Sequence, residues 1–119
     1  MPPTWTIVVL SWNGREDTLA CLRSLQRIER TDVSVVCVDN GSSDGSVEAV
    51  REQFPEVELI ENGRNLGYAG GNNVGIRRAL EAGAGWVVLL NNDATLAPDA
   101  IDAFERAATE HPRAGLLSG

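Results

Sequence analysis

The chain has 119 residues, a length suited to a single domain, and 43% of them are hydrophobic, enough to bury a real core. Its formal net charge of -7 argues against nucleic acid as a partner, because a phosphate backbone demands a basic face. All ten basic residues are Arg, which removes the P-loop lysine, Schiff-base chemistry and the phosphotransfer lysine of receiver domains; the lone His111 gives poor support to a multi-histidine metal site or a Ser-His-Asp triad.

In chain order, Thr6 to Ser11 reads as a first strand and Ser11-Trp12-Asn13-Gly14 as a turn. A helix is expected from about Arg15 to Arg27, with Glu16 and Asp17 in its first turn, where the dipole favours negative charge, and Leu19, Leu22, Leu25 and Ile28 as its apolar stripe. Ser34 to Val38 is a second strand, and Ser46 to Gln53 a short helix ended by Pro55. Val57 to Ile60 is a third strand, placed near an edge because its apolar run is short and flanked by charge. Asn72 to Ala82 is a helix closed by Gly83. Trp86 to Leu90 is a fourth strand, apolar at every position and so expected to be buried on both faces. Pro98 to Glu110 is a last helix with Pro at its first position, and Ala114 to Ser118 begins another strand.

Strand and helix alternate throughout, which predicts an α/β fold with a mostly parallel sheet and helices on both faces. Ending inside a strand is the pattern of a truncated domain, whose open sheet calls for its missing half or a second copy of the chain. Cys21 and Cys37 fall in apolar patterns and read as reduced, buried thiols of a cytoplasmic protein. Met1-Pro2-Pro3-Thr4 carries no basic segment of a secretory signal, and the run from Trp86 to Leu90 is far short of the ~20 residues a membrane span needs. Work beside a membrane remains compatible with this.

Three clusters of Asp, Asn and Gly carry the chemistry. Each follows a β-branched apolar run, and in an open α/β sheet the edge after such strands is where ligands bind. In Asp39-Asn40-Gly41-Ser42-Ser43-Asp44-Gly45, the Asp39 carboxylate can accept a hydrogen bond from a ring N–H or a ribose hydroxyl, or it can cap its own turn; Asp44 reads more simply as a cap. Between Asn65 and Gly75, Gly67, Gly70, Gly71 and Gly75 lead into a helix, where backbone N–H groups can approach an anion or merely turn the chain, with Asn72 or Asn73 as helix cap. The spacing is not that of the dinucleotide fingerprint. In Asn91-Asn92-Asp93, carboxylate and amide oxygens suit Mg²⁺ or Mn²⁺, which binds through few protein groups plus substrate phosphates; the alternative it is preferred to is an Asx turn leading to the helix at Pro98.

With Val8-Val9-Leu10-Ser11-Trp12-Asn13-Gly14 at the start, then Val38 to Gly45, Asn65 to Gly75 and Leu89-Leu90-Asn91-Asn92-Asp93-Ala94, all in this order and spacing, the chain resembles the amino-terminal, nucleotide-binding half of a family 2 glycosyltransferase of GT-A fold, particularly the bacterial rhamnosyltransferase-like members. The resemblance covers residues 1–119 as one nucleotide-sugar-binding portion. It implies that Ser11 and Asn13 line the base pocket, that Asp39 bonds the nucleobase, that Asn65 and the loop of Gly67 border the diphosphate, that Asn91 lies near the ribose and that Asp93 is the metal ligand. The cofactor implied is Mg²⁺ or Mn²⁺; the partners are a nucleoside-diphosphate sugar and a saccharide or lipid-linked acceptor, in cell-surface polysaccharide synthesis at the inner face of the membrane. Two departures matter. Asn91 stands where relatives carry the first Asp of an Asp-x-Asp motif, which implies weaker cation binding that depends more on the nucleotide, and Asn72 stands where many carry an Arg, which puts more of the charge neutralisation on the metal.

The implied reaction is inverting transfer to an acceptor hydroxyl, with the catalytic base expected beyond Gly119. Asp99 and Asp102 open a helix, and dipole compensation explains them. The alternatives are a nucleotide-sugar-binding fragment without turnover, and a flavodoxin- or receiver-like signalling domain. The latter wants an acidic pair after strand one, where Ser11-Trp12-Asn13 stands, and a Lys that is absent. A nucleotidyltransferase wants a basic, glycine-rich loop that Asn13-Gly14-Arg15 matches poorly.

Overall fold

A computed structural model describes residues 4–110 and 117–118; His111 and residues 114–116 of the last expected strand lie outside the described residues. Five strands, β1 (Trp5–Ser11), β2 (Val33–Asp39), β3 (Glu58–Glu61), β4 (Trp86–Asn91) and β5 (Leu117–Ser118), form one sheet in the order β3-β2-β1-β4-β5. Every pairing among them is parallel. Parallel neighbours require crossovers, and four helices supply them: α1 (Arg15–Gln26), α2 (Ser46–Gln53), α3 (Gly67–Glu81) and α4 (Ala100–Glu110).

The two-residue period of the strands sorts their side chains into two cores. Trp5, Ile7 and Val9 of β1, with Val88 and Leu90 of β4, pack against Leu19, Leu22 and Leu25 of α1, Val50 of α2 and Ile101 of α4. The intervening Val8, Val36, Val38 and Val87 face the other way and pack with Ala79 of α3. Helices α1, α2 and α4 therefore cover one face and α3 the other. The chain winds outward from β1 to β2 to β3, then α3 crosses to the opposite face and delivers β4 beside β1. The sheet order thus reverses beside β1, and the crevice at the carboxyl ends of β1 and β4 is where such sheets bind ligands.

Two boundaries differ from the sequence pattern. Helix α3 begins at Gly67, five residues before Asn72, and Asn72 is a buried interior residue rather than a cap. Glycine weakens an isolated helix, so this stretch reads locally as loop. Packing reverses the preference: a Cβ on Gly75 would lie 2.3 Å from Val8 Cγ1, and one on Gly71 2.5 Å from Leu10 Cδ1. These glycines let α3 lie close on the sheet. Helix α4 starts at Ala100, so Pro98 sits in the preceding turn and not at the first helical position. The third strand is at the edge, as its composition implies.

Candidate functional site

Register fixes what meets at the carboxyl edge. Ser11 lies opposite Asp39, Leu10 opposite Asn91, and Asp39 opposite Glu61. Asp39 and Asn91 thus flank the tip of β1, two strand spacings apart, about 10 Å. Asp93 follows two residues on, so the carboxylates of the first and third clusters stand on the same edge.

Asp39 is only 3% exposed. Its Oδ2 accepts the N–H groups of Gly41 (3.1 Å) and Ser42 (2.8 Å), and its Oδ1 accepts the Ser42 hydroxyl at 2.6 Å. Asp39 therefore does cap its turn. A carboxylate offers about four lone-pair sites, so roughly one remains for a ligand. Ser42 Oγ also accepts the N–H of Asn13 at 2.9 Å, while Asn13 Oδ1 accepts the N–H of Ser43 at 2.8 Å. Asn13 has φ +48°, a left-handed conformation that asparagine tolerates better than most residues. These bonds tie the β1–α1 loop to the β2–α2 loop. Asp44 accepts the N–H groups of Arg15 and Ser46 and the Ser46 hydroxyl, a capping role as its sequence position suggests. The Arg15 guanidinium reaches the same loop, with Nη1 3.8 Å from where a Gly45 Cβ would stand.

Asn40 is a hub that sequence reasoning passed over. It is 2% exposed, donates to the Gly67 carbonyl (3.1 Å) and Asn65 Oδ1 (3.4 Å), and accepts from Asn62 Nδ2 (2.8 Å) and the Leu66 N–H (3.4 Å). Asn65 Oδ1 also takes the N–H of Gly67 at 2.7 Å. The start of α3 is thereby fastened to the tip of β2, with Asn65 and Gly67 left exposed at the rim. The only sequence signal for this hub is an amide beside the strand-tip carboxylate.

At the tip of β4 the three residues diverge. Asn91 is exposed, and its Oδ1 accepts the Tyr68 hydroxyl at 3.3 Å. Asn92 turns inward and donates to Thr18 Oγ1 at 3.1 Å. Asp93 is exposed, with no hydrogen bond or ion pair among the described residues. Ser11 is 1% exposed and its hydroxyl is bonded to Thr18 at 2.9 Å, so its side chain lies within the fold beneath the rim. Two exposed large aromatics stand by this edge, Trp12 (53%) after β1 and Tyr68 (63%) at the start of α3.

Among the described residues no three His, Cys, Asp or Glu side chains cluster as a metal cage. At the tip of β4 the edge offers an uncommitted carboxylate, Asp93, and amide oxygens. That hard, sparse donor set fits Mg²⁺ or Mn²⁺ held mainly by phosphates and water, and does not fit a structural zinc site. Two cavities, of about 610 and 640 Å³, open instead at the far end of α1, beside Val33 and Glu58 and beside Asp99 and Asp102.

An open parallel sheet with four polar loops gathered at its carboxyl edge is the architecture of a nucleotide-binding α/β domain. Residues 6–118 match the sequence profile of glycosyl transferase family 2, and the chain belongs to that family. It is 39% identical over 104 residues (81% of this chain, 34% of the relative) to N-acetylglucosaminyl-diphospho-decaprenol L-rhamnosyltransferase of Mycobacterium tuberculosis. It is 34% identical over 100 residues (82% of this chain, 27% of the relative) to the succinoglycan biosynthesis protein ExoO of Rhizobium meliloti. The mannosyltransferase PcManGT of Pyrobaculum calidifontis, solved with GDP-Man and Mn²⁺, superposes with a TM-score of 0.75 at 28% identity, covering 85% of this chain and 31% of that one. S. aureus TarS 1–349, solved with UDP-GlcNAc, gives 0.80 at 19% identity over 92% of this chain and 32% of that one, a likeness of fold alone. The fold is GT-A, and the chain spans about a third of the length of these relatives.

Proposed function

We propose that residues 1–119 form the donor-binding part of an inverting glycosyltransferase that moves a sugar from a nucleoside-diphosphate sugar to an acceptor hydroxyl. The observation that carries this reading is the placement of Asp39 and Asn91-Asn92-Asp93 on either side of the β1 tip. The remaining acceptor site of Asp39 takes a nucleobase N–H, with Asn13 holding the loop around it and the face of Trp12 open for stacking. Asn91 meets the ribose, and Asn65 with the backbone at Gly67 borders the diphosphate. Asp93 ligates Mg²⁺ or Mn²⁺, which supplies positive charge to the diphosphate as it leaves. The Mn²⁺ and GDP-Man of the Pyrobaculum neighbour support this assignment.

The general base lies outside these residues in this reading. At the edge, Asp39 and Asp44 are engaged in capping bonds, Asp44 to α1 as well as to its own loop, and relatives about three times as long have room for a further carboxylate. The rhamnosyltransferase relative supports a lipid-linked saccharide as acceptor and polysaccharide synthesis at the inner membrane face as setting. Among the described residues no helix is long and apolar enough to cross a membrane. Calorimetric titration of UDP, dTDP and GDP with and without Mn²⁺ tests the proposal: one nucleotide should bind, more tightly with the cation. Absence of binding by all three would reject it. A transfer assay then separates an active enzyme from a donor-binding fragment.

A further inference from the structure

Helix α1 grips the segment from Asn91 to Leu96 at three points. Thr18, Cys21 and Ser24 recur every third residue and so share one helical face. All three are buried, at 0%, 0% and 6% exposure. Thr18 Oγ1 accepts the Asn92 amide at 3.1 Å, the Cys21 thiol lies 3.9 Å from the Asn91 carbonyl, and Ser24 Oγ accepts the Leu96 N–H at 3.1 Å while donating to the Cys21 carbonyl at 2.6 Å. Buried hydroxyls cost stability unless they are bonded, and Val would fill the Thr18 site with no such demand. The polar choice at Thr18 makes sense only through its two partners, Ser11 and Asn92.

Asn92 is the middle residue of the turn that carries Asn91 and Asp93. With its amide drawn inward, its two neighbours are left exposed. The β1–α1 loop makes room for that amide: a Cβ on Gly14 would stand 2.6 Å from Asn92 Nδ2. We infer that Thr18, acting through Asn92, is a positioning residue that holds the Asp93 turn in its cation-binding arrangement. This rests on the donor-site reading above and assigns to helix α1 control over the cation-dependent share of nucleotide affinity. Ser11 orients the Thr18 hydroxyl, and Ser24 fixes the far end of the segment.

The test uses the full 119-residue chain, its Thr18→Val, Asn92→Ala and Thr18→Ser variants, and whichever of UDP, dTDP or GDP binds, each titrated with and without Mn²⁺. Thr18→Val and Asn92→Ala should lose roughly tenfold or more of the gain that Mn²⁺ gives, as loss of groups that orient metal ligands does, while affinity without Mn²⁺, which Asn91 on the same turn shares in, falls by a much smaller factor. Thr18→Ser should keep the gain. Equal losses with and without Mn²⁺, or none, would overturn the inference. Amide hydrogen exchange over residues 91–96, measured without nucleotide or metal, should quicken in Thr18→Val and Asn92→Ala; unchanged exchange in both would overturn the grip itself. Asn92→Ala lies on a loop and keeps the test decisive if Thr18→Val does not fold. A wild-type chain with no Mn²⁺ gain but normal slowing of exchange at 91–96 would sink the donor-site reading, and would show that the grip serves something other than a cation.

Discussion

Asp44 accepts the backbone N–H of Arg15 at 3.0 Å, so a loop from the second βα unit caps the helix of the first. Gly14 occupies the N-cap of α1 and offers no side chain for this. The Ser46 hydroxyl, and after it the Arg15 N–H, holds the Asp44 carboxyl below the usual carboxylate range, against the opposing effect of burial. Folding therefore favours the ionised form. Its contribution is complete above the unfolded value of about 3.9 and is lost as pH falls through the depressed folded value. Asp44→Ala should lower stability by about 1 kcal/mol near neutral pH, the usual worth of a helix cap. Denaturant unfolding across pH 2–7 should also show a shallower acid loss than in the wild type, checked over the ~5 units that bracket the carboxylates.

The two carboxylates assigned to the donor site should respond differently to substitution. Asp93 is exposed and makes no hydrogen bond among the described residues, so Asp93→Ala should leave stability within about 0.5 kcal/mol. Nucleotide affinity in Mn²⁺ should then fall to its metal-free value. Asp39 satisfies two backbone N–H groups and a hydroxyl in a buried loop. Asp39→Asn cannot accept all three, so it should lose about 1–3 kcal/mol of stability together with nucleotide affinity, whether or not metal is present. Paired calorimetry and thermal unfolding distinguish the two patterns. A metal-specific defect in Asp39→Asn, or an unaltered metal response in Asp93→Ala, would reverse the assignments.

Glycines in the Asn65 to Gly75 stretch serve two separate purposes, and alanine separates them. At Gly75 an added Cβ meets Val8 Cγ1 at 2.3 Å in the middle of the sheet, so Gly75→Ala should cost about 1–3 kcal/mol through overpacking. Gly67 has φ +79° and nothing within 4 Å of an added Cβ. Gly67→Ala should cost only the left-handed backbone penalty, about 1–2 kcal/mol, with no disturbance of the core. Near-ultraviolet circular dichroism and thermal unfolding should show altered packing in the first variant alone.

That stretch also marks where the sequence ceased to be legible. Strands β1, β2 and β4 and the polar tips after them could be placed because consecutive apolar β-branched residues followed by Asp, Asn and Gly have few other uses in a chain of this size. The edge position of β3 followed from its charged flanks. The start of α3 could not be placed, because local propensity penalises Gly70 and Gly71 within a helix, while the reason for Gly71 lies in Leu10 and Asn40, at least 30 residues earlier in the chain. The same holds for Asn40 and Thr18. Each looks like an ordinary polar residue in a turn or a helix, and its importance comes from partners more than 20 positions away. Arg30 is a further case: it bonds Asp32, Asp102 and Glu105, so Asp102 is tied to the loop before β2 as well as placed near a helix start.

The two cysteines make a last prediction that needs no ligand. Burial first, and then the negative charge of Asp93, pushes the Cys21 thiol up to about 12. Burial, followed by Asp39 and Cys21, pushes Cys37 up to about 12 as well. In the unfolded chain both titrate near 8.5. Folding thus favours the protonated thiols, and this contribution is intact below about pH 8.5 and is lost as pH rises toward the folded values. With two such groups, the alkaline decline in stability should approach roughly 2–3 kcal/mol per pH unit, since one proton per unit is worth about 1.4. Replacing both residues with Ala should flatten that decline while costing stability at neutral pH through lost packing. The native protein at pH 8 should leave both thiols unmodified by an alkylating reagent, with modification tracking global unfolding in denaturant. Rapid labelling of Cys21 in the native state would instead show that α1 opens away from the Asn91 to Leu96 segment without unfolding, a motion that the bonds from Thr18 and Ser24 should prevent.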